Sequence, residues 1–501
     1  MKFELDWLKK WNLYSPNAVA MVDGDTLRSL TYSELFQLSQ RMAFCLHSVF
    51  HVRKGDRVAL LSQNQLEIFA LHFACQRLGA TLVPMNYRLA APEIEFLLKD
   101  SQPSLLVYEK DFLNLLSNTS EFPKLQSVVL SGESLALTEQ SLKKTDLYSD
   151  FASSEEDLAL ILYTSGTTGF PKGAMLSHRM LHWNSLNTTL RLNVQSSDAA
   201  VIFLPLFHTG GWNVLSTPFL HRGAKIILTK KFDGDQILSL TEKFGCSLIF
   251  GVPTTMDMMA RSPKFQTANL KSVRYAIVGG EPMPLELIDL WHSKGVPVRQ
   301  GYGLTEFGPN VFSLNEEHAK SKQGSVGFPN FYIETKVCDD SGQPVPANEI
   351  GELWLRGPSS MTGYFDNPKS TQDTLTADGW LKTGDLVRQD SEGFFFIVGR
   401  KKEMYKSGGE NVYPAEVERV IQKIQGVREV AVIGIPDPKW GEVGKAFIAL
   451  EHSMQLSEDE VVNYCQQHLA KFKVPKQVQF LSSLPKTDSG KIQKSKLNLP
   501  V

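Results

Sequence analysis

Cysteine is scarce in this chain, and its few thiols stand far apart. No two of them form a CxxC pair; they are Cys45, Cys75, Cys246, Cys338 and Cys465. That spacing supplies neither a disulfide framework nor the paired thiolates of a zinc site. A reducing compartment suits such a sequence, and we predict a cytoplasmic protein.

An excess of charge of either sign is also lacking. The 501 residues include 52 lysines and arginines against 54 aspartates and glutamates, which leaves a formal net charge of −2. A chain without a basic excess has no long-range field to collect nucleic acid. We therefore expect no nucleic-acid partner, and any anionic ligand must be held by local groups.

Long apolar runs are missing from the sequence as well. No stretch approaches the ~18 apolar residues that a membrane-spanning helix needs. The opening "MKFELDWLKKW" mixes charged with aromatic residues and has no apolar segment typical of a secretory leader. We predict no membrane span, while a peripheral membrane contact and the choice between monomer and homodimer stay open.

Strand-like apolar runs alternate with helical stretches through much of the chain. Runs such as "DRVALL", "LALILY", "AKIILT", "YAIVGG" and the "LVP" of 82–84 are separated by stretches such as "EIFALHFACQRLGA", residues 67–80. Strands that alternate with helices indicate βαβ units. The pattern predicts an α/β fold whose large N-terminal domain contains parallel sheets.

The pattern of predicted elements changes at about residue 332. Short strands with frequent turn signals, as in "GWLKTGDLVRQDSEGFFFIVGR", predict a small β subdomain over about 332–399. The later runs "REVAVIGIP", "KAFIALE" and "SEDEVVNYCQQHLAKF" indicate a compact α+β unit. We therefore predict a large domain over 1–399, a linker at 399–402 and a C-terminal α+β domain over 403–501.

One loop is rich in glycine and hydroxyl side chains, within "LYTSGTTGFPKGAML" at 162–176. Its backbone N–H groups, hydroxyls and one lysine suit a polyphosphate, whereas the plain alternative is a solvated turn. Pro171 argues against the common nucleotide loop, because that loop runs directly into a helix. The candidate phosphate ligands are Thr164, Ser165, Gly166, Thr167, Thr168, Gly169 and Lys172.

This loop resembles the signature of the adenylate-forming superfamily, which includes acyl-CoA synthetases, luciferases and peptide-synthetase adenylation domains. Four further stretches resemble its later motifs in the same order: "GYGLTEFG" (301–308), "GWLKTGDLV" (379–387), "GRKKEMYKSGGENVYPAEVE" (399–418) and "LPKTDSGKIQK" (484–494). The chain is thus identified as a member. The resemblance implies an AMP-binding domain, a mobile C-terminal domain, and ATP, Mg²⁺ and coenzyme A as reactants.

The resemblance assigns an ATP site whose residues suit the adenine, the ribose, the phosphates and the metal ion. Without the resemblance, each of these short motifs would be interpreted as a turn. Tyr302 offers a flat face for adenine, Thr305 a hydroxyl for a phosphate oxygen, and Glu306 an oxygen ligand for Mg²⁺. Asp385 and Arg400 hold the ribose in the family. The other predicted ATP-binding residues are Gly280, Glu281, Pro282, Gly301 and Gly303.

The resemblance also assigns catalytic roles to Thr305, Glu306 and two further residues. Lys491 matches a C-terminal lysine that bridges the attacking carboxylate and the α-phosphate, two anions whose repulsion a cation reduces. His208, in "LFHTGGW", matches a histidine at the meeting point of carboxylate and phosphates. On chemistry alone, a core histidine fits position 208 equally well.

In the superfamily the small domain rotates about a hinge between two half reactions, acyl adenylate formation and transfer to coenzyme A. Lys402 matches the hinge position, and the predicted coenzyme A contacts are Ser407, Gly408 and Gly409. Tyr405 and Lys406 depart from the pattern, because many members carry two apolar residues there.

The acid is expected to occupy an apolar pocket that includes Gly279 and Trp212. Trp212 stands at the place of a gate tryptophan in long-chain fatty acid synthetases, which favours a fatty acid. Aryl and hydroxycinnamic acids are alternative substrates for this pocket. Two alternative activities also stay open: an acyl-AMP ligase that feeds a carrier protein, and a luciferase-like oxygenase. "FHTGGWN" lacks the aspartate of a peptide-synthetase domain. From another class, a non-catalytic ATP-binding module would lack Glu306 or Lys491.

Overall fold

The chain folds into two units, each continued by a second stretch of sequence. The first unit comprises Met1–Thr335 with Leu355–Leu381, and the second comprises Lys336–Trp354 with Lys382–Val501. This computed structural model describes residues 4–131, 134–135, 147–164, 171–281, 283–451, 454–486 and 492–497. The linker at 399–402 and the domain limits drawn from it stay predictions.

The helices of the first unit are α1 Trp7–Tyr14, α2 Tyr32–Ser48, α3 Glu67–Leu78, α4 Ala91–Ser101, α5 Leu113–Ser117, α6 His178–Arg191, α7 Thr209–Asn213, α8 Ser216–Arg222, α9 Gly234–Lys243, α10 Pro253–Arg261, α11 Pro263–Thr267, α12 Leu285–Ser293 and α13 Pro368–Thr374. The helices of the second unit are α14 Pro414–Ile421 and α15 Glu458–His468. Across the described ranges, none of the helices is both long and apolar enough to cross a bilayer.

The strands of the first unit are β1 Val19–Asp23, β2 Ser29–Thr31, β3 Arg57–Leu61, β4 Thr81–Pro84, β5 Leu105–Tyr108, β6 Ser127–Ser131, β7 Ser134–Leu135, β8 Leu158–Thr164, β9 Lys172–Ser177, β10 Ala199–Ile202, β11 Lys225–Leu228, β12 Leu248–Gly251, β13 Tyr275–Val278, β14 Val298–Leu304, β15 Gly308–Ser313, β16 Ser325–Pro329 and β19 Gly363–Tyr364. Those wholly or mostly in the second unit are β17 Glu334–Cys338, β18 Ile350–Arg356, β20 Leu381–Gln389, β21 Phe395–Arg400, β22 Tyr405–Ser407, β23 Glu410–Val412, β24 Val427–Asp437, β25 Gly441–Leu450 and β26 Gln477–Phe480.

Parallel pairing dominates the centre of the sheets in the first unit. Their strand orders are β10-β11-β1-β2, β12-β13-β14-β15-β16 and β19-β9-β8-β4-β3-β5-β6-β7. The β3, β4, β5, β6 and β8 pairings are parallel, whereas β9 joins β8 antiparallel. The predicted α/β class is confirmed, but the sheets are mixed because hairpins close their edges.

The second unit carries the strand-rich region and an α+β layer. Its strand orders are β21-β20-β18-β17 and β23-β22-β25-β24, with β26 parallel to β25. Val417 and Ile421 of α14 and Cys465 of α15 pack with Val432 of β24 in one apolar core. The α+β character predicted for the C-terminal part is confirmed.

Helix α3 lies in the interior of the first unit, and every one of its residues is buried. The helix ends at Gly79, whose φ of +71° is the left-handed conformation that glycine adopts without strain. The helix predicted over 67–80 is confirmed by these bounds. A helix buried on all sides serves as a core element for the sheets beside it.

A buried ion pair ties the N-terminal helix to α3, and we expect its disruption to be costly. Arg77 Nη2 lies 2.7 Å from Asp6 Oδ2, and both side chains are almost fully buried. Because Asp6→Ala leaves Arg77 as a buried unpaired cation, it should lower the free energy of unfolding by about 3 kcal/mol. Chemical denaturation measures this, with the exposed Asp257→Ala as the control. Equal losses in the two variants would contradict the expectation.

Candidate active site

The phosphate-loop candidate connects two antiparallel strands of the first unit. Thr164, the last residue of β8, pairs directly with Lys172, the first residue of β9. A strand rather than a helix follows the loop, as Pro171 indicated. The predicted ligands Ser165, Gly166, Thr167, Thr168 and Gly169 lie outside the described residues, whereas Thr164 and Lys172 stand at the two ends of the loop.

The candidate metal ligand, Glu306, lies beside Thr164, at the start of this loop. It follows β14, and its Oε1 accepts a hydrogen bond from Tyr364 Oη at 2.9 Å. Thr164 Oγ1 lies 3.5 Å from the same oxygen, across a separation of 142 residues in sequence. Thr305, next to it, is buried. The structure therefore brings together two motifs that were predicted to serve one ATP molecule.

The candidate adenine pocket is built at the ends of two adjacent parallel strands. Gly279, predicted for the acid pocket, follows β13 and directly precedes the predicted ATP ligand Gly280, and Gly301 lies in β14, the parallel neighbour of β13. A Cβ atom on Gly279 would lie 3.5 Å from the Gly301 carbonyl oxygen, so the two backbones approach closely. Carboxyl ends of parallel strands are where ligands bind in open α/β sheets.

Further residues of this pocket follow the same two strand ends. Gly280 has a φ of +89°, and both Gly280 and Glu281 are exposed. A Cβ on Gly303 would lie 2.1 Å from the Pro309 carbonyl oxygen, so only glycine fits there. The half-buried Tyr302 ring meets Phe312 edge to face at 5.9 Å. The predicted Pro282 lies outside the described residues.

His208 is exposed rather than part of the core. It precedes the short helix α7, and its Nδ1 accepts a hydrogen bond from the Gly210 backbone N–H at 3.0 Å. Because Nδ1 is an acceptor, the neutral ring carries its proton on Nε2 and can donate from that atom. The exposure of His208 thus excludes the core-histidine alternative, and its predicted contact with the reactants stays a prediction.

Trp212 has no exposed surface in this structure. Its ring lies 4.9 Å from the Phe69 ring and 5.2 Å from the His72 ring, both on α3. Burial lowers the pKa of His72 to about 3, so the neighbouring imidazole is neutral. Trp212 is therefore a packed core residue as described, and its role as a gate stays a prediction.

The two predicted ribose ligands meet in the second unit. Asp385 of β20 and Arg400 of β21 are cross-strand partners, and Arg400 Nε lies 2.8 Å from Asp385 Oδ1. The Asp385 backbone N–H also donates to Thr383 Oγ1 at 3.0 Å. An Arg–carboxylate pair of this kind orients the carboxylate, which suits acceptance of hydroxyl hydrogen bonds.

The predicted coenzyme A contacts form a tight turn in the same unit. Gly408 and Gly409 connect β22 to β23, and both have positive φ, +62° and +88°. Positive φ at both central residues defines the hairpin turn for which Gly-Gly is favoured. Both glycines are exposed, Ser407 is buried, and Lys402 is exposed.

Lys491 lies outside the described residues, but the segment around it has defined anchors. Lys486 and Ile492 form a β-bridge, so the chain leaves and returns at one place. Lys494 Nζ lies 2.7 Å from a Glu418 oxygen and 3.1 Å from a Glu403 oxygen. Burial alone would lower the pKa of Lys494, yet these two carboxylates raise it above its usual value, so the anchor stays charged.

Tyr364 is the polar neighbour of the site that the sequence did not indicate. It stands in "TGYFDNP", which reads as an ordinary turn before a helix. Its contact with Glu306 depends on β19 pairing with β9, and no local pattern predicts that pairing.

Sequence comparisons place this arrangement in a known class. The family model described as AMP-binding enzyme matches residues 8–365, and that described as AMP-binding enzyme C-terminal domain matches residues 416–491. The chain belongs to the AMP-binding enzyme family and is an adenylate-forming acyl-CoA synthetase, an acid–thiol ligase.

Individual relatives span nearly the whole chain. A feruloyl-CoA synthase from Amycolatopsis is 39% identical and covers 96% of each chain. An indoleacetate–CoA ligase from Aromatoleum aromaticum is 37% identical over 93% of this chain and 92% of its own. A long-chain-fatty-acid–CoA ligase from Mycobacterium tuberculosis is 35% identical over 96% and 95%.

Solved structures agree in fold. The o-succinylbenzoate CoA synthetase of Bacillus subtilis in complex with its acyl-adenylate intermediate is 32% identical, covers 99% of this chain and 98% of its own, and has a TM-score of 0.88. The same enzyme in complex with ATP and magnesium has a TM-score of 0.86, at 32% identity over 98% and 99%.

Proposed function

We propose that this chain converts an apolar monocarboxylic acid, ATP and coenzyme A into an acyl-CoA, AMP and pyrophosphate. The observation that supports this most is the meeting of Thr164 with Glu306, because it joins the phosphate loop to a carboxylate able to hold a metal. In the first step an oxygen of the acid attacks the α-phosphorus of ATP, and the bond to pyrophosphate breaks. In the second, the coenzyme A sulfur attacks the acyl carbon, and AMP leaves.

Each proposed reactant has residues that fit it. Mg²⁺ prefers oxygen ligands and is commonly held by one carboxylate together with phosphate oxygens, which Glu306 beside the loop can provide. When bound, the ion would neutralise charge on the leaving pyrophosphate. Lys172 adds a cation at the loop end, and His208 can donate from Nε2 to the substrate carboxylate. We assign coenzyme A to the exposed turn at Gly408 and Gly409.

For the acid, we propose an aryl or aryl-propenoic acid as the first candidate. Trp212 fills its position against Phe69 and His72, so a long alkyl chain entering there would have to displace the indole. The feruloyl-CoA synthase and indoleacetate–CoA ligase relatives, which carry aryl acids in their names, support this choice.

A fatty acid is the second candidate. The match of Trp212 to the place of a gate residue favours it, and the mycobacterial long-chain-fatty-acid–CoA ligase relative supports it. The segments "FHTGGWNVLSTPF", "LIFGVPTTM" and "VGGEPM" contain no arginine, so we do not expect a second carboxylate on the substrate. The cytoplasmic location stays a prediction.

A panel of acids in a pyrophosphate-release assay tests the proposal. Ferulate, indoleacetate, a medium and a long fatty acid, and 2-succinylbenzoate are compared by kcat/KM with ATP and coenzyme A. We expect an aryl monocarboxylate to give the highest value and 2-succinylbenzoate the lowest. Faster turnover of a fatty acid would select the second candidate, and absence of pyrophosphate with every acid would contradict the proposed function.

The ribose assignment predicts a specific loss of ATP affinity. Because hydrogen bonds to a charged group are strong, Asp385→Ala should raise the KM for ATP at least about tenfold. The parent enzyme should show a comparable penalty with 2′-deoxy-ATP, and the variant should show almost no further penalty with that analogue. If 2′-deoxy-ATP raises the KM of the variant by the same factor as it raises the KM of the parent, Asp385 does not contact the ribose.

A further inference from the structure

Tyr364 is fixed by its backbone next to both charged groups of the phosphate site. Tyr364 pairs with Ala174 on β9, the strand that begins at Lys172, and its N–H donates to Thr371 Oγ1 at 2.9 Å. Nearby, the Met361 N–H donates to the carbonyl oxygen of Glu306 at 2.8 Å. The 361–364 segment is therefore bonded to the strand of Lys172 and to the backbone of Glu306.

The side chain of Tyr364 contacts those same two residues through different parts. Its hydroxyl donates to Glu306 Oε1 at 2.9 Å, and its ring faces Lys172, whose Nζ lies 5.4 Å from the ring centroid. Across the described part of the chain, the hydrogen bonds to the Glu306 carboxylate fall on Oε1. A carboxylate held at one oxygen presents the other in a defined direction.

We propose that Tyr364 is a positioning residue that orients Glu306 toward the metal and Lys172 toward the phosphates. One half-buried side chain thereby sets the spacing between the carboxylate and the ammonium group. This inference rests on the proposed function, because it takes Glu306 as a Mg²⁺ ligand and Lys172 as a phosphate ligand. The hydroxyl acts on the metal side, and the ring acts on the phosphate side by a cation–π contact.

Two substitutions separate the contribution of the Tyr364 hydroxyl from that of its ring. Tyr364→Phe keeps the ring beside Lys172 and removes only the hydrogen bond to Glu306, whereas Tyr364→Leu removes both. The matched control is Tyr14→Phe, which removes a hydroxyl from an exposed tyrosine on the N-terminal helix. ATP binding is measured by calorimetry on the full chain at a series of Mg²⁺ concentrations and in excess EDTA, and thermal unfolding is measured alongside.

For Tyr364→Phe we expect the Mg²⁺ concentration that half-maximally tightens ATP binding to rise about tenfold, which corresponds to about 1.4 kcal/mol. ATP binding in EDTA should stay unchanged in this variant. In Tyr364→Leu, binding in EDTA should weaken by about threefold as well, because the cation–π contact is also lost. The control should match the parent in every measurement.

A Mg²⁺ requirement of Tyr364→Phe within twofold of the parent would overturn the inference. So would a lowered unfolding temperature with an unchanged Mg²⁺ requirement, since it would assign Tyr364 a structural role. These binding measurements need no acid or coenzyme A. Failure of the proposed function would instead appear as absence of acid-dependent pyrophosphate release by the parent.

Discussion

Lys491→Ala is expected to abolish acid-dependent pyrophosphate release while largely sparing thioester formation from a supplied acyl adenylate. In the first step two anions approach each other, and a cation between them stabilises the transition state. Charge-stabilising cations in phosphoryl transfer are worth about 10³-fold or more in rate. In the second step the attack is on the acyl carbon, so the same cation is not needed at the phosphate.

The control for this prediction is Lys496→Ala. Lys496 is exposed and lies five positions further along the same segment, beyond Lys494 and its bonds to Glu403 and Glu418. The Lys496→Ala substitution also removes one positive charge, but at a residue that has no proposed role in the reaction. Both half reactions should therefore proceed at the parent rate. Equal loss of both steps in Lys491→Ala would contradict the role assigned to this lysine.

Substitution of Gly409 by leucine is expected to have the opposite effect. Acyl adenylate formation, measured as pyrophosphate release in a single turnover, should persist. The rate of acyl transfer to coenzyme A should fall by about 10²-fold or more, which is the loss of rate expected when a reactant is misplaced. A Cβ at position 409 meets nothing within 4 Å. The leucine side chain would therefore extend from the turn into the space assigned to the coenzyme.

Backbone strain is the alternative cause of such a loss, and Gly295→Leu controls for it. Gly295 also has a positive φ, +80°, and a Cβ there also meets nothing within 4 Å. Leucine costs about 1–2 kcal/mol in that conformation at either position. If the two variants lose the second step to the same extent, strain explains the result; an intact second step in Gly409→Leu would reject the coenzyme assignment directly.

Local patterns in the sequence predicted the fold class and many of its elements. The helical stretch at 67–80 predicted α3, and short apolar runs predicted β3, β8, β11 and β13, because apolar runs and turn residues mark such elements locally. The antiparallel edges of the sheets were missed. Pairings such as β19 with β9 join residues nearly two hundred positions apart, and no local periodicity encodes a partner at that distance.

The candidate site likewise contains residues that the sequence indicated and one, Tyr364, that it did not. Thr164, Lys172 and Glu306 were predicted from motifs that resemble those of the superfamily, and the structure places Thr164 beside both Lys172 and Glu306. Tyr364 was missed because its function depends on that meeting rather than on its neighbours in sequence. Trp212 shows the converse: its position matched a functional motif, while its packing against α3 depends on tertiary contacts that the motif does not contain.

The central claim, that one chain forms an acyl adenylate and then a thioester, is tested most directly by counting products. The purified chain is incubated with ATP, Mg²⁺ and the best acid of the panel, with and without coenzyme A, and AMP, pyrophosphate and acyl-CoA are quantified. We predict equal amounts of the three with coenzyme A, and without it about one pyrophosphate per enzyme with the acyl adenylate retained. ADP and phosphate as products, or AMP without acyl-CoA when coenzyme A is present, would contradict the account.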